Sequence, residues 1–239
     1  VMGAVEREFE QQFDQPVVVM SVQGAGGDIS PSVDRSQPLQ GLEKFGKKLA
    51  PQIHAVWQSI DNWDTAPALK AYSKRIILNQ ETLGYTQEEY PYPWGAFQCG
   101  SLEQRPDACL AMPPPDPDDL ADNGVAENKA WGPGDTRVSS AQIGGAVLLA
   151  QPGEALAEFG VRLLDDMESN HGIDRDSVYI WGTSQDHIGY LLPAIKEDWA
   201  AGGTEGTTTF WGWKLGTRLR AVYDELATAL GGGAVPELS

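Results

Sequence analysis

The chain has 239 residues, 41% of them hydrophobic, which is enough apolar material for a folded globular core. Its 34 acidic residues outnumber its 17 basic ones and give a formal net charge of -17. This charge repels phosphate backbones, so we expect no nucleic-acid partner and, in the simplest interpretation, a well-solvated surface. No apolar run approaches the roughly 18 residues that a membrane span needs, so we expect no transmembrane segment.

The first residues predict an amphipathic helix, because apolar residues recur at helical spacing at Val1, Val5, Phe9 and Phe13. Since this helix is already under way at a valine, we expect the chain to be a processed subunit or a fragment of a longer precursor. After Pro16, the almost continuously apolar run Val17–Val22 predicts a buried strand.

A second helix is predicted from Leu39 to about Ile60, and Pro51 is expected to kink or divide it. His54 falls between the core positions of this helix, where we expect a packing residue rather than a ligand. Leu69–Leu78 predicts a strand.

Segment 84–137 is rich in prolines, aromatics and acids, with little periodicity. It is too long for an ordinary connection and predicts a functional loop excursion or an interface arm. Its aromatic side chains could line a hydrophobic substrate channel or pack within the fold. Cys99 and Cys109 predict a disulfide in this segment, and so an oxidising compartment; two reduced thiols are the alternative.

Regular elements return after this segment. In chain order they are a buried strand at Gln142–Gln151, a helix at about 155–169 that stops at Gly172, a strand at Ser177–Gly182, a helix at about 213–230 and a flexible tail at 231–239. Strands that alternate with helices predict an α/β fold, a layered mixed sheet with flanking helices.

The glycine loop QGAGGDISPS, which follows the first predicted strand, excludes two nucleotide-binding motifs. A dinucleotide fingerprint fails because Ile29 occupies the third glycine position, and no Gly-Lys-Ser/Thr follows for a phosphate-binding loop. A hydrolase elbow also fails, because Pro31 directly follows Ser30. What remains is a strand end that displays Asp28 and Ser30, either a turn or part of a reactive site.

Polar side chains also follow two later strands. Glu154 comes after Gln151-Pro152-Gly153, and a polar cluster follows Gly182, namely Ser184, Gln185, Asp186, His187 and Tyr190. In open α/β sheets, reactive groups gather outside the carboxyl ends of the strands. We therefore expect these side chains to approach one another.

The order GGDISP, PGE, YIWGTSQDHIGYLLP and TEGTTTFWG resembles the catalytic domain of the neutral/alkaline, non-lysosomal ceramidase family. The resemblance covers Val5 to about Ser36 and Ser140 to about Leu230. It implies that 1–239 is one unit, the C-terminal portion of a zinc amidohydrolase domain without the family's immunoglobulin-like domain. The implied activity is hydrolysis of an N-acyl amide bond, as in ceramide, with Zn²⁺ as cofactor.

The resemblance also assigns roles to individual residues. Ser30 matches the catalytic serine, Asp28 the acid that would orient the metal site, and Glu154 and Tyr190 two of the metal ligands. Gly27 and Thr204 fall at substrate-binding positions, although Thr204 replaces a family tyrosine and so weakens the case for ceramide itself. His187 replaces another tyrosine and is a candidate acid, base or substrate contact.

The family's two histidine ligands precede the serine loop, whereas the first histidine of this chain is His54. We therefore expect a separate N-terminal chain from the same precursor to supply them, giving a secreted, periplasmic or cell-surface heterodimer. The substrate would be a hydrophobic or N-acyl amide. Two alternatives stay open: a metal-independent serine hydrolase or esterase that pairs Ser30 with His187 or His171, and a non-catalytic assembly subunit.

Overall fold

The computed structural model describes residues 2–32, 36–86, 134–195, 197, 205–206, 209 and 211–234. The chain packs as two compact units. The small unit comprises Val1–Val22 and Ser30–Pro67, and the sheet unit comprises Gln23–Ile29 and Ala68–Ser239. That 1–239 forms one portion of a larger domain stays a prediction.

Two helices build the small unit, α1 at Met2–Glu10 and α2 at Pro38–Gln58. They cross closely, because a Cβ on Gly46 of α2 would come within 2.6 Å of the Ala4 carbonyl oxygen. The expectation that Pro51 divides the second helix is wrong, since α2 runs through it. Proline removes one N–H donor there, but its fixed φ is compatible with helical backbone.

His54 lies among aromatic rings of the small unit. Its ring stacks on Trp57 at 5.8 Å and meets Phe9 and Phe13 edge-on at 5.9 and 5.1 Å. These contacts confirm that His54 is a packing residue.

The prediction of a buried strand at Val17–Val22 is wrong for the described structure. The segment belongs to none of the described strands, and its side chains alternate in exposure, with Val18 and Met20 exposed by 96% and 72%. Carboxylates take the place of a neighbouring strand on one edge, because the Glu10 and Glu6 side chains accept the N–H groups of Val19 and Ser21 at 2.9 and 2.6 Å. An apolar run is buried only where another element covers it.

The sheet unit contains a mixed sheet. Its described strands are β1 (Leu69–Ile77), β2 (Asp135–Ile143), β3 (Ala146–Ala150) and β5 (Val178–Trp181), in the order β1-β2-β3-β5. β1 and β2 are antiparallel, as are β2 and β3, whereas β3 and β5 are parallel. This arrangement confirms the predicted α/β class with a mixed sheet.

The predicted single strand at Gln142–Gln151 is wrong in its first half. β2 ends at Ile143, Gly144 adopts φ 58°, and β3 begins at Ala146, so the segment contains a hairpin turn. Residues 135–137 of the predicted excursion also belong to β2. Segment 87–133 of the excursion, including Cys99 and Cys109, lies outside the described residues, and the disulfide stays a prediction.

Helices α4 (Ala157–His171) and α5 (Lys214–Leu230) pack against each other and against the sheet. The sheet unit also contains a short helix α3 (Gln80–Leu83) and a 3-10 turn (Arg175–Ser177). The core between helices and sheet is apolar and includes Val138, Leu149, Phe159, Leu163, Met167, Leu219 and Leu226. Gly172 ends α4 at φ 64°, as predicted. No helix in the described ranges combines the length and apolarity needed to cross a bilayer.

A second sheet lies just beyond the carboxyl ends of β3 and β5. It consists of β4 (Glu154–Ala155) and β6 (Tyr190–Leu191), which are parallel and pair Glu154 with Tyr190. The topology therefore brings the two residues assigned as metal ligands to adjacent positions at one edge of the fold.

Candidate active site

The turn that carries Glu154 is fixed by its backbone. It is joined to the segment 181–189 by five hydrogen bonds: Gln151 N to Trp181 O (2.7 Å), Ser184 N to Gln151 O (2.7 Å), Ile188 N to Pro152 O (2.8 Å), Thr183 N to Gly153 O (3.0 Å) and Glu154 N to Gly189 O (3.1 Å). The three residues before Glu154 are buried. The main chain thus sets the position of Glu154, independently of its side chain.

Gly153 allows this close approach. A Cβ at this position would lie 2.4 Å from the Gly189 carbonyl oxygen, a separation that Cβ atoms essentially never show from non-bonded heavy atoms. The glycine of the Pro152-Gly153-Glu154 turn is therefore a steric requirement for pairing β4 with β6.

The loop after β5 positions its own side chains through the sheet. Thr183 and Gln185 adopt positive φ values of 52° and 74°, which non-glycine residues rarely do. Asp186 accepts a hydrogen bond from Thr136 Oγ1 of β2 at 3.1 Å. Gln185 exchanges hydrogen bonds with the Ser139 hydroxyl, also on β2. Part of the predicted polar cluster thus anchors the loop rather than facing a substrate.

Three side chains of different chemistry meet at the edge of the second sheet. His187 Nε2 lies 3.1 Å from Glu154 Oε1. Tyr190 is paired with Glu154 between β4 and β6. The pKa of Tyr190 is raised first by desolvation, and then by the charges of Glu154 and Glu205 and by hydrogen bonding to Glu154. Glu154 is one-third exposed and His187 half exposed. A carboxylate, an imidazole and a phenol therefore share one partly open site.

These donors fit a zinc ion, which binds imidazole nitrogen and carboxylate oxygen readily. Among the described residues, no group of three or more His, Cys, Asp or Glu side chains is placed to hold a metal. The third donor at this edge is the Tyr190 phenol. A zinc ion at this edge would therefore need further ligands besides the donors of the described residues.

The glycine loop lies against β4. Gly27 donates its N–H to the Ala155 carbonyl at 2.8 Å, and a Cβ on Gly27 would lie 2.8 Å from the Glu154 carbonyl oxygen. On the other side, Gly182 donates its N–H to the Gln23 carbonyl at 2.7 Å. The glycines thus permit close packing of backbone on backbone, and the loop is no phosphate cradle.

Asp28 Oδ1 accepts the N–H of Ala157, the first residue of α4, at 2.9 Å. The residue that precedes α4, Leu156, supplies no side-chain cap of its own. Asp28 therefore caps the helix from a distant part of the sequence and fixes the loop to it. The role expected for Asp28, orienting a metal ligand, stays a prediction.

The remaining predicted residues lie elsewhere. Ser30 is exposed, belongs to the small unit and follows Asp28 by two residues. Thr204 lies outside the described residues. His171 is the last of the 15 residues of α4, about 21 Å along the helix from the Asp28 cap. There it contacts Asp224 at 2.8 Å and lines a cavity of about 770 Å³ near the amino ends of β3 and β5, the ends opposite to Glu154.

The sequence predicted that Glu154 and the polar cluster containing His187 approach one another, but not that these two side chains are in direct contact. It also missed Gly153 and Gly182 as positions where a side chain would collide with backbone. The available signal was the placement of each glycine next to a polar strand end, which is where close backbone packing is needed.

Solved structures provide the only comparisons that show similarity; no protein-family model and no curated protein matches the chain. Neutral ceramidase from Pseudomonas aeruginosa is similar in structure, with a TM-score of 0.72 at 18% sequence identity over 99% of this chain and 41% of that one. A ceramidase complexed with C2 is similar at a TM-score of 0.72 and 17% identity, over 99% of this chain and 43% of that one. The chain thus spans less than half the length of these proteins, and its fold is that of part of a ceramidase.

Proposed function

We propose that this chain carries part of the active site of a zinc-dependent, ceramidase-like hydrolase that cleaves an N-acyl amide bond. The observation that carries the proposal is the convergence of Glu154, His187 and Tyr190 at the carboxyl edge of a ceramidase-like fold. Structural likeness at 18% identity supports the fold, and the chemistry of this edge supports the activity.

A bound zinc ion would polarise the amide carbonyl and lower the pKa of a coordinated water. The chain's own residues have distinct tasks. Glu154 and Tyr190 are held side by side by β4 and β6, so they present their oxygens in a fixed geometry. Asp28 and Gly27 fix the glycine loop to α4 and β4. Ser30 follows that loop, and the resemblance assigns it the catalytic serine's role.

The proposal includes a second polypeptide, the N-terminal chain of the same precursor, which would supply histidine ligands. One observation supports it. The small unit exposes apolar side chains of the kind that a further part of the domain covers, including Val18, Met20, Val56, Trp57 and Trp63.

The substrate class that follows is a hydrophobic N-acyl amide, and the compartment is extracytoplasmic. Both are carried over from the resemblance. The predicted Cys99–Cys109 disulfide also favours this compartment, because disulfides form under oxidising conditions. No described contact requires the amine part of the substrate to carry a charge. Hydrolysis rates for amides that share an acyl chain and differ in the amine would define the specificity.

The test uses the complete assembly, in which this chain is coexpressed with the polypeptide encoded upstream of Val1. Release of fatty acid from ceramide and from simpler N-acyl amides is measured. Glu154→Gln should lower the hydrolysis rate by about 100-fold or more, because it replaces a charged ligand with a neutral one. Glu168→Gln, at an exposed position of α4, is the matched control. Equal rates for both variants would refute the proposal.

One observation favours a second function, a metal-independent serine hydrolase. The His187–Glu154 contact at 3.1 Å has the residue types of the base-and-carboxylate half of a catalytic triad, and the resemblance assigns Ser30 as the nucleophile. In that case activity should survive extensive chelation and be lost in Ser30→Ala. Loss of activity on chelation and its return with Zn²⁺ favour the metal enzyme. A well-folded assembly that hydrolyses neither amides nor esters would instead indicate a non-catalytic subunit.

A further inference from the structure

We infer that His187 is itself a metal ligand, so that this chain alone supplies a three-donor site composed of Glu154 Oε1, His187 Nε2 and the Tyr190 hydroxyl oxygen. The inference rests on the proposed zinc-dependent function and extends its ligand set. Of this chain's residues, the resemblance assigns only Glu154 and Tyr190 to the metal, and His187 replaces a tyrosine of that family.

The separation of the donor atoms carries the first step. His187 Nε2 and Glu154 Oε1 are 3.1 Å apart. Two ligands on one tetrahedral zinc, each at about 2.0–2.1 Å, are separated by about 3.3 Å. The two atoms can therefore share an ion with little movement of either side chain. In the hydrogen bond one proton lies between the two atoms. A zinc ion would take the place of this proton, which would be released to solvent.

The third donor, Tyr190, is the residue directly paired with Glu154 between β4 and β6. Paired residues on adjacent strands point their side chains to the same face of a sheet, so Tyr190 lies beside Glu154. Glu154 is therefore the donor that lies next to both of the others.

The backbone holds His187 for this role. Its N–H donates to Asp186 Oδ1 at 3.1 Å, and Asp186 is anchored to β2 through the Thr136 hydroxyl. The next residue, Ile188, donates its N–H to the Pro152 carbonyl at 2.8 Å, two residues before Glu154. His187 and Glu154 are therefore both held by the hydrogen-bonded backbone of one turn. The imidazole ring of His187 is half exposed, which leaves room for an ion.

The other two histidines of the chain have different surroundings. His54 lies among the aromatic rings of the small unit, and His171 contacts Asp224 at the opposite edge of the sheet. Any histidine nitrogen that coordinates metal at the Glu154 edge of the isolated chain must therefore come from His187.

The test measures metal binding to the 239-residue chain itself, freed of metal and titrated with Zn²⁺ against a chromophoric chelator. One equivalent should bind. His187→Gln should weaken binding by more than about 100-fold, beyond the 10- to 100-fold typical of a residue that only supports a ligand. His171→Gln is the matched control, since it breaks the chain's other histidine–carboxylate contact and should leave the affinity unchanged.

X-ray absorption at the zinc edge identifies the ligand directly. The wild-type chain should show imidazole scattering, and His187→Gln should lose it. Identical spectra and affinities for both, or no zinc binding by the chain, would overturn the inference. The proposed function is judged separately, by whether Glu154→Gln abolishes hydrolysis in the complete assembly. The ligand role of His187 and the proposed function can therefore be refuted independently. Circular dichroism of each variant checks that the fold is retained.

Discussion

Two extended segments of the chain, both expected near the reaction, contrast sharply. Four of the five residues of the turn 151–155 are buried, Glu154 being the exception, and its backbone is hydrogen-bonded to the segment 181–191. Val17–Val22 is more apolar, yet it exposes alternate side chains, and two of its N–H groups are taken by glutamate carboxylates. The apolar content of a segment therefore does not determine whether it is held in place. Hydrogen-bonding partners for its backbone determine this, and the site residues Glu154 and Tyr190 lie where such partners are present.

The largest expected effect comes from breaking the fixed turn. Gly153→Ala places a Cβ 2.4 Å from the Gly189 carbonyl oxygen, so β4 and β6 must separate. We expect a loss of about 3 kcal/mol in the free energy of unfolding, measured with a chemical denaturant. Gly145→Ala is the control, because a Cβ there meets no atom within 4 Å. Similar losses in both variants would contradict the steric argument.

A smaller effect is expected where the glycine loop meets β4. Gly27→Ala brings a Cβ to 2.8 Å from the Glu154 carbonyl oxygen and displaces the loop. We expect a loss of about 1–3 kcal/mol in unfolding free energy, together with lower hydrolytic activity of the assembly. Gly24→Ala, with open space around its Cβ, should change neither. If Gly24→Ala has the larger effect, the loop has some role other than close packing.

Much of the fold was predictable because it follows from local sequence. Apolar spacing predicted α1, α4 and α5, the glycine after α4 predicted its end, and an apolar run predicted β5. The strand β1 was also predicted, at Leu69–Leu78. Polar residues after buried strands indicated the edge where Glu154 and Tyr190 meet. Their pairing depends on topology that α/β folds share, so a motif order was enough to suggest it.

The errors have non-local causes. Whether Val17–Val22 is buried depends on elements that the segment itself does not encode. The hairpin at Gly144 depends on how β2 pairs with both neighbours, and Pro51 is tolerated because α2 is packed against α1. The contact between His187 and Glu154 depends on the backbone path through Thr183 and Gln185, whose positive φ values no residue preference predicts.

Asp28 links the glycine loop to α4, and its substitution is expected to have a moderate effect on stability. Asp28→Ala leaves the Ala157 N–H without its carboxylate partner, and we expect a loss of about 1 kcal/mol in unfolding free energy. Asp28→Asn keeps an acceptor oxygen and should recover most of this loss. Asp14→Ala, at an exposed position of the small unit, serves as the control. An asparagine variant as unstable as the alanine variant would indicate that charge matters more than capping.

The smallest expected effect concerns the exposed segment. Hydrogen bonds from the Ser21 hydroxyl and N–H lower the pKa of Glu6 below its usual 4.5. Because the pKa is lowered in the folded state, Glu6 stabilises the fold above pH 4.5, and this contribution is lost as the pH falls through the folded-state pKa. Glu6→Gln should therefore flatten the decline in unfolding free energy below pH 4.5, whereas Glu43→Gln, at an exposed position of α2, should follow wild type. If the Glu6→Gln curve runs parallel to wild type across this range, the carboxylate does not hold the segment, and the contrast with the backbone-bonded turn becomes greater still.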